Sequence, residues 1–123
     1  MPPGWGPTAG NNALDNFFAT YKFMQLHTGS PGANGTNNVA GNTVRVDVSA
    51  LMNAAAAGHI DNAANIDWTS VSTSETYTNC TFWTLGAGGV FGGSGTVTAN
   101  PVSSGDDFRI PAGQLDGTVT LAS

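Results

Sequence analysis

Two apolar runs joined by glycines make residues 77–98 the most apolar stretch of the chain. The first run, CTFWTL, combines aromatic and β-favouring residues, which is typical of a buried strand. The motif GAGG that follows predicts a tight turn, because glycine adopts positive φ angles without steric cost. A second extended run, VF, continues through GGSG into TVT, and glycines inside a strand usually mark a bend. The pattern therefore predicts a β-hairpin at the centre of a sheet.

A strictly alternating segment, TVRVDVS at residues 43–49, predicts a half-buried antiparallel strand. Its three valines share one face, whereas Arg45 and Asp47 are neighbours on the other face. Two interpretations of this charged pair stay open. It is either a surface ion pair, which would contribute little to stability, or a contact in an assembly interface.

Further short strands are indicated by β-favouring residues between turn signals. They are predicted at residues 23–27, around Ile66 and Trp68, at 108–110, and at 115–121 with Leu115, Val119 and Leu121 facing inward. Residues 28–42 are dense in glycine and asparagine and are expected to form a polar loop. The chain is therefore expected to be all-β, apart from one short N-terminal helix.

That helix is predicted at residues 12–22, where Asn12 can cap the first turn and Lys22 suits the last. Its apolar face, at helical spacing, is formed by Leu14, Phe17, Phe18 and Tyr21. We expect this face to cover an edge or an end of the sheet. A groove for a binding partner is the alternative.

The first twelve residues are rich in proline and glycine, with Trp5 as their one large side chain. They predict an extended arm at residues 1–12, followed by a single domain at residues 13–123. The arm would lie on a neighbouring subunit through Trp5 and Pro7, because buried tryptophan is a frequent interface anchor. The alternative is a disordered tail. The candidate assembly interface is thus Trp5, Pro7, Arg45 and Asp47.

The low proportion of charged residues limits the functions that the chain can have. Only 9% of the residues are charged, against about 25% in ordinary soluble domains. Three basic residues against eight acidic ones cannot neutralise a phosphate backbone, so nucleic-acid binding is excluded. Since charge is the usual guard against edge-to-edge pairing of strands, an uncharged β surface favours assembly with other proteins.

Candidate chemistry is sparse. Asp61, Asn62, Asn65 and Asp67 suggest calcium, but their spacing is not that of a calcium-binding loop. His27 has no second ligand at metal spacing and is expected to be a hydrogen-bonded structural histidine. The lone Cys80 is expected to be buried. No nucleophile, base or paired-carboxylate arrangement is apparent, so we expect neither an enzyme nor a cofactor or metal site.

The N-terminus, MPPGWGPTAG, has neither the basic nor the apolar region of a signal peptide, and no stretch of the sequence approaches the length of a membrane span. The sequence therefore predicts synthesis in a host cytoplasm without secretion and without membrane insertion. Such an uncharged β-protein suits a component of a virus particle that is released by lysis.

Four segments resemble, in order, a set of small bacteriophage virion proteins known as tail fibre or minor tail proteins. LHTGSPGANG at residues 26–35 is similar to the family's LHTADPG-x-x-G, and TVRVDV stands where the family has YARxAV, with Arg45 matching its arginine. GHIDNAANIDW at residues 58–68 resembles GGSISNTxAIxF. Residues 77–98, together with SGDDFRIPAG at 104–113, resemble the family's final hairpin and its NSGDTFRIPAG segment.

This resemblance implies a single antiparallel β-sandwich, jelly-roll-like, in a structural protein of the virion. A minor tail or tail-fibre subunit is the leading expectation, and a capsid decoration protein of the same fold is the alternative. The expected partners are other virion proteins and further copies of the chain, with a trimer favoured by analogy with phage architecture. A third hypothesis is a receptor module in which Trp5, Trp68 or Trp83 stacks on host-surface carbohydrate.

Overall fold

The computed structural model describes residues 3–118 and residue 122. One helix, α1, spans Pro7–Thr20. The strands in this part of the chain are β1 (Phe23–His27), β2 (Val46–Asp47), β3 (His59–Asp61), β4 (Ile66–Trp68), β5 (Glu75–Trp83), β6 (Phe91–Val102), β7 (Phe108–Ile110) and β8 (Asp116–Thr118). A short 3-10 helix, Ser49–Leu51, follows β2.

All strand pairs in the described residues are antiparallel. A four-stranded sheet has the order β2-β1-β5-β6, and two further ladders pair β3 with β8 and β4 with β7. The predicted hairpin is confirmed as β5 and β6, which are joined by residues 84–90. The expectation of antiparallel sheets with one N-terminal helix is therefore confirmed.

Strand β6 ends the four-stranded sheet, with β5 as its partner among the described residues. Its register against β5 shifts twice, between Tyr77 and Asn79 and between Phe82 and Trp83. In both places the extra residues belong to β6, since Tyr77 pairs with Asn100 but Asn79 with Thr96. These are β-bulges, which bend a strand and increase its local twist. The edge of β6 is therefore bent at two points.

Helix α1 begins five residues earlier than the pattern predicted, at Pro7 instead of Asn12. Proline is well suited to the first turn, because its missing N–H needs no partner there and its φ angle is already helical. The extended arm predicted for residues 1–12 is thus helical from Pro7 onward, and the predicted boundary between arm and domain falls inside the helix. The predicted apolar face is confirmed, with Leu14 and Phe18 buried.

The aromatic side chains of α1 lie on the core face of the sheet. Phe17 and Phe18 meet the ring of Phe82 edge to face, at centroid distances of 5.7 and 5.3 Å. Space for them comes from glycines of β6. A β-carbon on Gly92 would lie 2.3 Å from Cγ of Tyr21, whereas one on Gly93 would lie 3.5 Å from the Phe17 ring. The bulge in β6 therefore turns two successive glycines toward the helix.

This difference predicts opposite outcomes for two matched substitutions. Gly92→Ala is expected to lower the free energy of unfolding by about 1–2 kcal/mol, because the Cβ and Cγ atoms of Tyr21 cannot move without displacing the end of the helix. Gly93→Ala is expected to change the free energy of unfolding by less than about 0.5 kcal/mol, since its new methyl group meets an ordinary contact. Urea denaturation of both variants measures this, and equal effects would contradict the proposed helix contact.

The strand predicted at residues 43–49 is much shorter than expected. Only Val46–Asp47 pairs as a strand; Val48 is buried, but Val44 is 57% exposed. The backbone at Val44 is used differently, because its carbonyl accepts the indole N–H of Trp68 at 3.0 Å. The indole of Trp68, from β4, thus takes the place of a hydrogen bond to a neighbouring strand. The alternation of residues within one segment cannot indicate such a contact.

At the C-terminal end, the predicted strand 115–121 is confirmed where it is described, with Leu115 buried just before β8. The inward positions predicted for Val119 and Leu121 lie outside the described residues. Within the described residues, no helix is long and apolar enough to cross a membrane.

Candidate functional site

The loop between β5 and β6, residues 84–90, presents an apolar and uncharged surface, and we call it the hairpin tip. Leu85 and Val90 are 55% and 61% exposed. Thr84 closes the loop, because its Oγ1 accepts the N–H of Val90 at 2.9 Å and its own N–H donates to the Val90 carbonyl at 3.2 Å. Gly89 has a φ of 82°, a conformation that favours glycine. The tip is therefore a shaped turn that holds two aliphatic side chains in solvent.

Arg45, the residue immediately before β2, anchors this tip. Its Nη1 donates to the carbonyl oxygens of Leu85 at 2.9 Å and Gly88 at 2.7 Å, and its Nε donates to Oε1 of Gln25 at 3.0 Å. The guanidinium carbon also lies 4.5 Å from the ring centroid of Trp83. Partial burial lowers the pKa of Arg45, but a guanidinium stays charged at neutral pH. One side chain thus ties β1, β5 and the tip together.

Below Arg45, a chain of hydrogen bonds crosses the same face of the sheet. The indole N–H of Trp83 donates to Oγ1 of Thr81 at 2.7 Å, and this oxygen lies 2.8 Å from Nε2 of His27. On its other side, Nδ1 of His27 lies 2.9 Å from the carbonyl oxygen of Asn37. Since a carbonyl can only accept, Nδ1 carries the proton and Nε2 accepts from the Thr81 hydroxyl. His27 is 0% exposed, which confirms a structural histidine.

The four residues predicted as an assembly interface lie in two parts of the chain, at the N-terminus and around β2. Trp5 is 49% exposed, and its carbonyl accepts the N–H of Ala122 at 2.8 Å, so this part of the N-terminus lies beside the C-terminal end. Pro7 is the first residue of α1. A role of Trp5 and Pro7 in contacts between subunits stays a prediction.

The ion pair considered for Arg45 and Asp47 does not occur in the described part of the chain. Arg45 turns toward the hairpin tip, whereas Oδ1 of Asp47 accepts the N–H and the hydroxyl of Ser49 at 2.9 and 2.7 Å. Asp47 instead caps the short turn that follows it. Carbonyl acceptors in the tip explain the direction of Arg45.

Of the three tryptophans proposed for carbohydrate stacking, Trp5 is exposed, whereas Trp68 and Trp83 have no open ring face. Trp68 is 1% exposed and lies 5.9 Å from the ring of Phe108. Trp83 is 8% exposed, between Arg45 and the ring of Phe91 at 5.3 Å. Strand alternation placed Trp83 on the face opposite Phe82, and the structure shows that both faces of the sheet are covered there. These two rings therefore do not offer a surface for a sugar.

The polar residues that suggested calcium each have a partner within the fold. Asp61 accepts the amide of Asn53 at 2.8 Å, Asn65 accepts the N–H of Ala112 at 3.1 Å, and Asp67 pairs with Arg109 at 2.7 Å. Among residues 3–118 and residue 122, no three histidine, cysteine, aspartate or glutamate side chains form a group that could hold a metal.

Asn62 has a structural role in this region that the sequence did not reveal. It is 1% exposed. Its Nδ2 donates to the carbonyls of Ala64 at 2.8 Å and Pro111 at 3.0 Å, and its Oδ1 accepts the N–H of Leu115 at 2.9 Å. One side chain thus joins the turn after β3 to the segment between β7 and β8. The sequence signal was only an asparagine in a turn, which is common and usually exposed.

Two further features of the described residues, a groove and a buried thiol, could offer a site. An open groove of about 1140 Å³ is bordered by α1, β6, β7 and β8, with Phe17, Val97 and Leu115 in its wall. Its one arginine, Arg109, is already paired with Asp67. Cys80 is buried as predicted, and burial raises the pKa of its thiol to about 12, so this thiol is not a reactive nucleophile at neutral pH.

Comparison with known proteins supports the resemblance of the four sequence segments. Residues 10–118 match the family described as podophage GP4 fiber I protein gp80. No curated protein matches the chain. The matched range includes α1 from Gly10, the whole of the β5–β6 hairpin and all other strands described above. The predicted phage tail fibre family is therefore confirmed, and the chain belongs to the family of the podophage GP4 fiber I protein gp80.

Proposed function

We propose that the protein is a non-enzymatic structural subunit of a bacteriophage virion, of the minor tail or tail-fibre type, and that it acts through protein–protein assembly. The family match over residues 10–118 is the observation that carries this proposal. The low charge of the chain supports it, because a surface with few charges is better suited to contacts with other subunits than to free solution.

Within this proposal, the hairpin tip is the contact surface. Leu85 and Val90 are among the most exposed large apolar side chains of the described residues, and no charged residue occurs at positions 84–90. The two carbonyl contacts from Arg45 keep the turn in one shape, which lowers the entropy lost on binding. Trp5 is a second contact, and a trimer is the proposed oligomeric state.

The finer architecture belongs to the same proposal. We interpret the domain as a β-sandwich with jelly-roll-like topology. Support comes from the core, in which Met24 and Leu26 of the four-stranded sheet belong to the same buried cluster as Ile60 and Ile66 of the two ladders.

The proposal is tested in purified phage particles. Mass spectrometry and cryo-electron microscopy of the wild-type virion are expected to find the chain on the tail in a small number of copies. Hundreds of copies on the shell would replace the tail role by capsid decoration. Absence from the particle would refute a virion role of either kind.

A matched set of variants tests the hairpin tip itself. Leu85→Ser with Val90→Ser is expected to leave the melting temperature nearly unchanged and to reduce incorporation into particles at least about tenfold, a loss of roughly 1.4 kcal/mol of contact energy. Val44→Ser, at an equally exposed aliphatic residue outside the tip, is the control and is expected to incorporate normally. Normal incorporation of the tip variant would exclude the tip as the contact surface.

A further inference from the structure

The loop of residues 28–42, which we call the covering loop, is attached to the sheet at both ends. Next to β1, the N–H of Ala40 donates to the Leu26 carbonyl at 3.2 Å, and within the loop the N–H of Thr28 donates to the Asn38 carbonyl at 2.9 Å. At the far end, the carboxylate of Glu75 accepts the N–H groups of Gly41 and Asn42 at 2.9 and 3.1 Å. Between these attachments, His27 reaches the loop through Asn37.

The covering loop lies closely on the hairpin. A β-carbon on Gly35 would stand 2.6 Å from the ring of Phe91, so the loop backbone rests on that ring. Phe91 in turn contacts Trp83, whose N–H begins the hydrogen-bond chain to His27. Release of the loop would therefore expose aromatic surface next to the hairpin tip.

His27 keeps its full set of hydrogen bonds only as a neutral ring, although Nδ1–H donates to the Asn37 carbonyl in either protonation state. Its Nε2 accepts the proton of the Thr81 hydroxyl, and the oxygen of that hydroxyl already accepts the Trp83 N–H. Protonation of Nε2 would place a donor against a donor, and the Thr81 hydroxyl would have to turn away. The buried cation would also need a counter-charge, since an unpaired buried charge is strongly unfavourable.

No such counter-charge faces the ring in the described structure. The covering loop contains no acidic or basic residue. From β5 the neighbours are Thr81 and Asn79, which are neutral. The charge that acts on His27 comes from Arg45 beside β1 and has the same sign as a protonated histidine. Glu75 is engaged with the backbone at the other end of the loop.

From this arrangement we infer that His27 is a pH-sensitive latch: as a neutral side chain it holds the covering loop on the sheet, and when protonated it releases the loop while the hairpin stays folded. Burial lowers the pKa of His27 in the closed state below its ordinary value of 6.5; it outweighs the backbone contacts with Asn37 and Asn38, which raise the pKa, and Arg45 adds to the lowering. The open state binds the proton more readily. Closure is therefore complete above about pH 6.5 and weakens as the pH falls below it.

Amide hydrogen exchange of the full-length protein, measured by NMR between pH 7.5 and pH 5, tests the latch. After correction for the intrinsic pH dependence of exchange, the amides of Thr28 and Ala40 are expected to open up to roughly tenfold more per pH unit below 6.5. Amides of β5 and α1 are expected to stay protected. Equal acceleration of all amides would show global unfolding and would overturn the latch.

Three readouts separate His27 from other titrating groups. His27→Gln is expected to make opening of the loop independent of pH. The control His59→Gln, at a histidine whose side chain is 62% exposed, is expected to behave as the wild type. Persistent pH dependence in His27→Gln would assign the effect to Glu75 and refute the proposal. If His27→Gln does not fold, the ring ¹⁵N shifts of wild-type His27 are measured instead. A titration midpoint of the ring that differs from the midpoint of loop opening would refute the proposal.

Discussion

Replacement of Asn62 by alanine is expected to lower the free energy of unfolding by roughly 3 kcal/mol or more. The substitution leaves the carbonyls of Ala64 and Pro111 without their donor and the N–H of Leu115 without its acceptor, in a place where the side chain is 1% exposed. Each buried backbone group that loses its partner costs about 1–3 kcal/mol. The loss is a large fraction of the roughly 5–15 kcal/mol that stabilises a typical domain.

Urea denaturation measures this loss, with two comparison variants. Asn65→Ala removes one exposed hydrogen bond and is expected to lower the free energy of unfolding by less than about 1 kcal/mol. Asn62→Asp keeps an acceptor for Leu115 but turns a carboxylate oxygen toward two carbonyls, so it is expected to be as harmful as alanine. If Asn62→Ala were as mild as Asn65→Ala, Asn62 would not be the link between these segments.

Arg45→Ala is expected to lower the free energy of unfolding by roughly 2–3 kcal/mol and to loosen the hairpin tip. It removes three hydrogen bonds from a charged donor and a cation–π contact with Trp83. Arg45→Lys is expected to recover only part of the loss. An ammonium group keeps the charge but cannot reach Gln25 and both tip carbonyls with one planar fork.

Two measurements check the role of Arg45. Urea denaturation gives the loss of stability, and amide exchange at Val90, whose N–H is held by Thr84, reports on the tip. Arg109→Ala is the matched control: Arg109 pairs with Asp67 on the surface, so its removal is expected to change stability little. Unchanged exchange at Val90 in Arg45→Ala would show that the tip keeps its shape without the anchor.

Local patterns were sufficient to predict the strands whose contacts are local. Residues 23–27 were predicted with the bounds observed for β1, and the glycines after the CTFWTL run correctly indicated the β5–β6 hairpin. The helix face was also predicted, but its first turn was missed. Proline and glycine were interpreted as an extended arm, although proline is equally suited to the start of a helix.

The features that sequence could not predict depend on contacts between distant segments. Val44 has the alternation of a strand residue, yet its carbonyl serves the indole of Trp68. Arg45 was correctly singled out, but its acceptors are carbonyls forty and forty-three positions away, which no spacing rule indicates. Asn62 resembled an ordinary turn residue, because its partners Pro111 and Leu115 come near only in the folded chain.

The two bulges of β6 affect how identical copies of this chain can pair at their sheet edges. A flat, uncharged edge of twelve residues would be a template on which identical chains could add without limit, as in amyloid growth. The two bulges interrupt the continuous hydrogen-bond ladder that such growth requires. The bulges therefore disfavour open-ended edge-to-edge addition of identical chains, so that the size of an assembly depends on specific contacts instead. In this chain the shape of a strand supplies the protection against edge-to-edge pairing that charged side chains supply in other proteins.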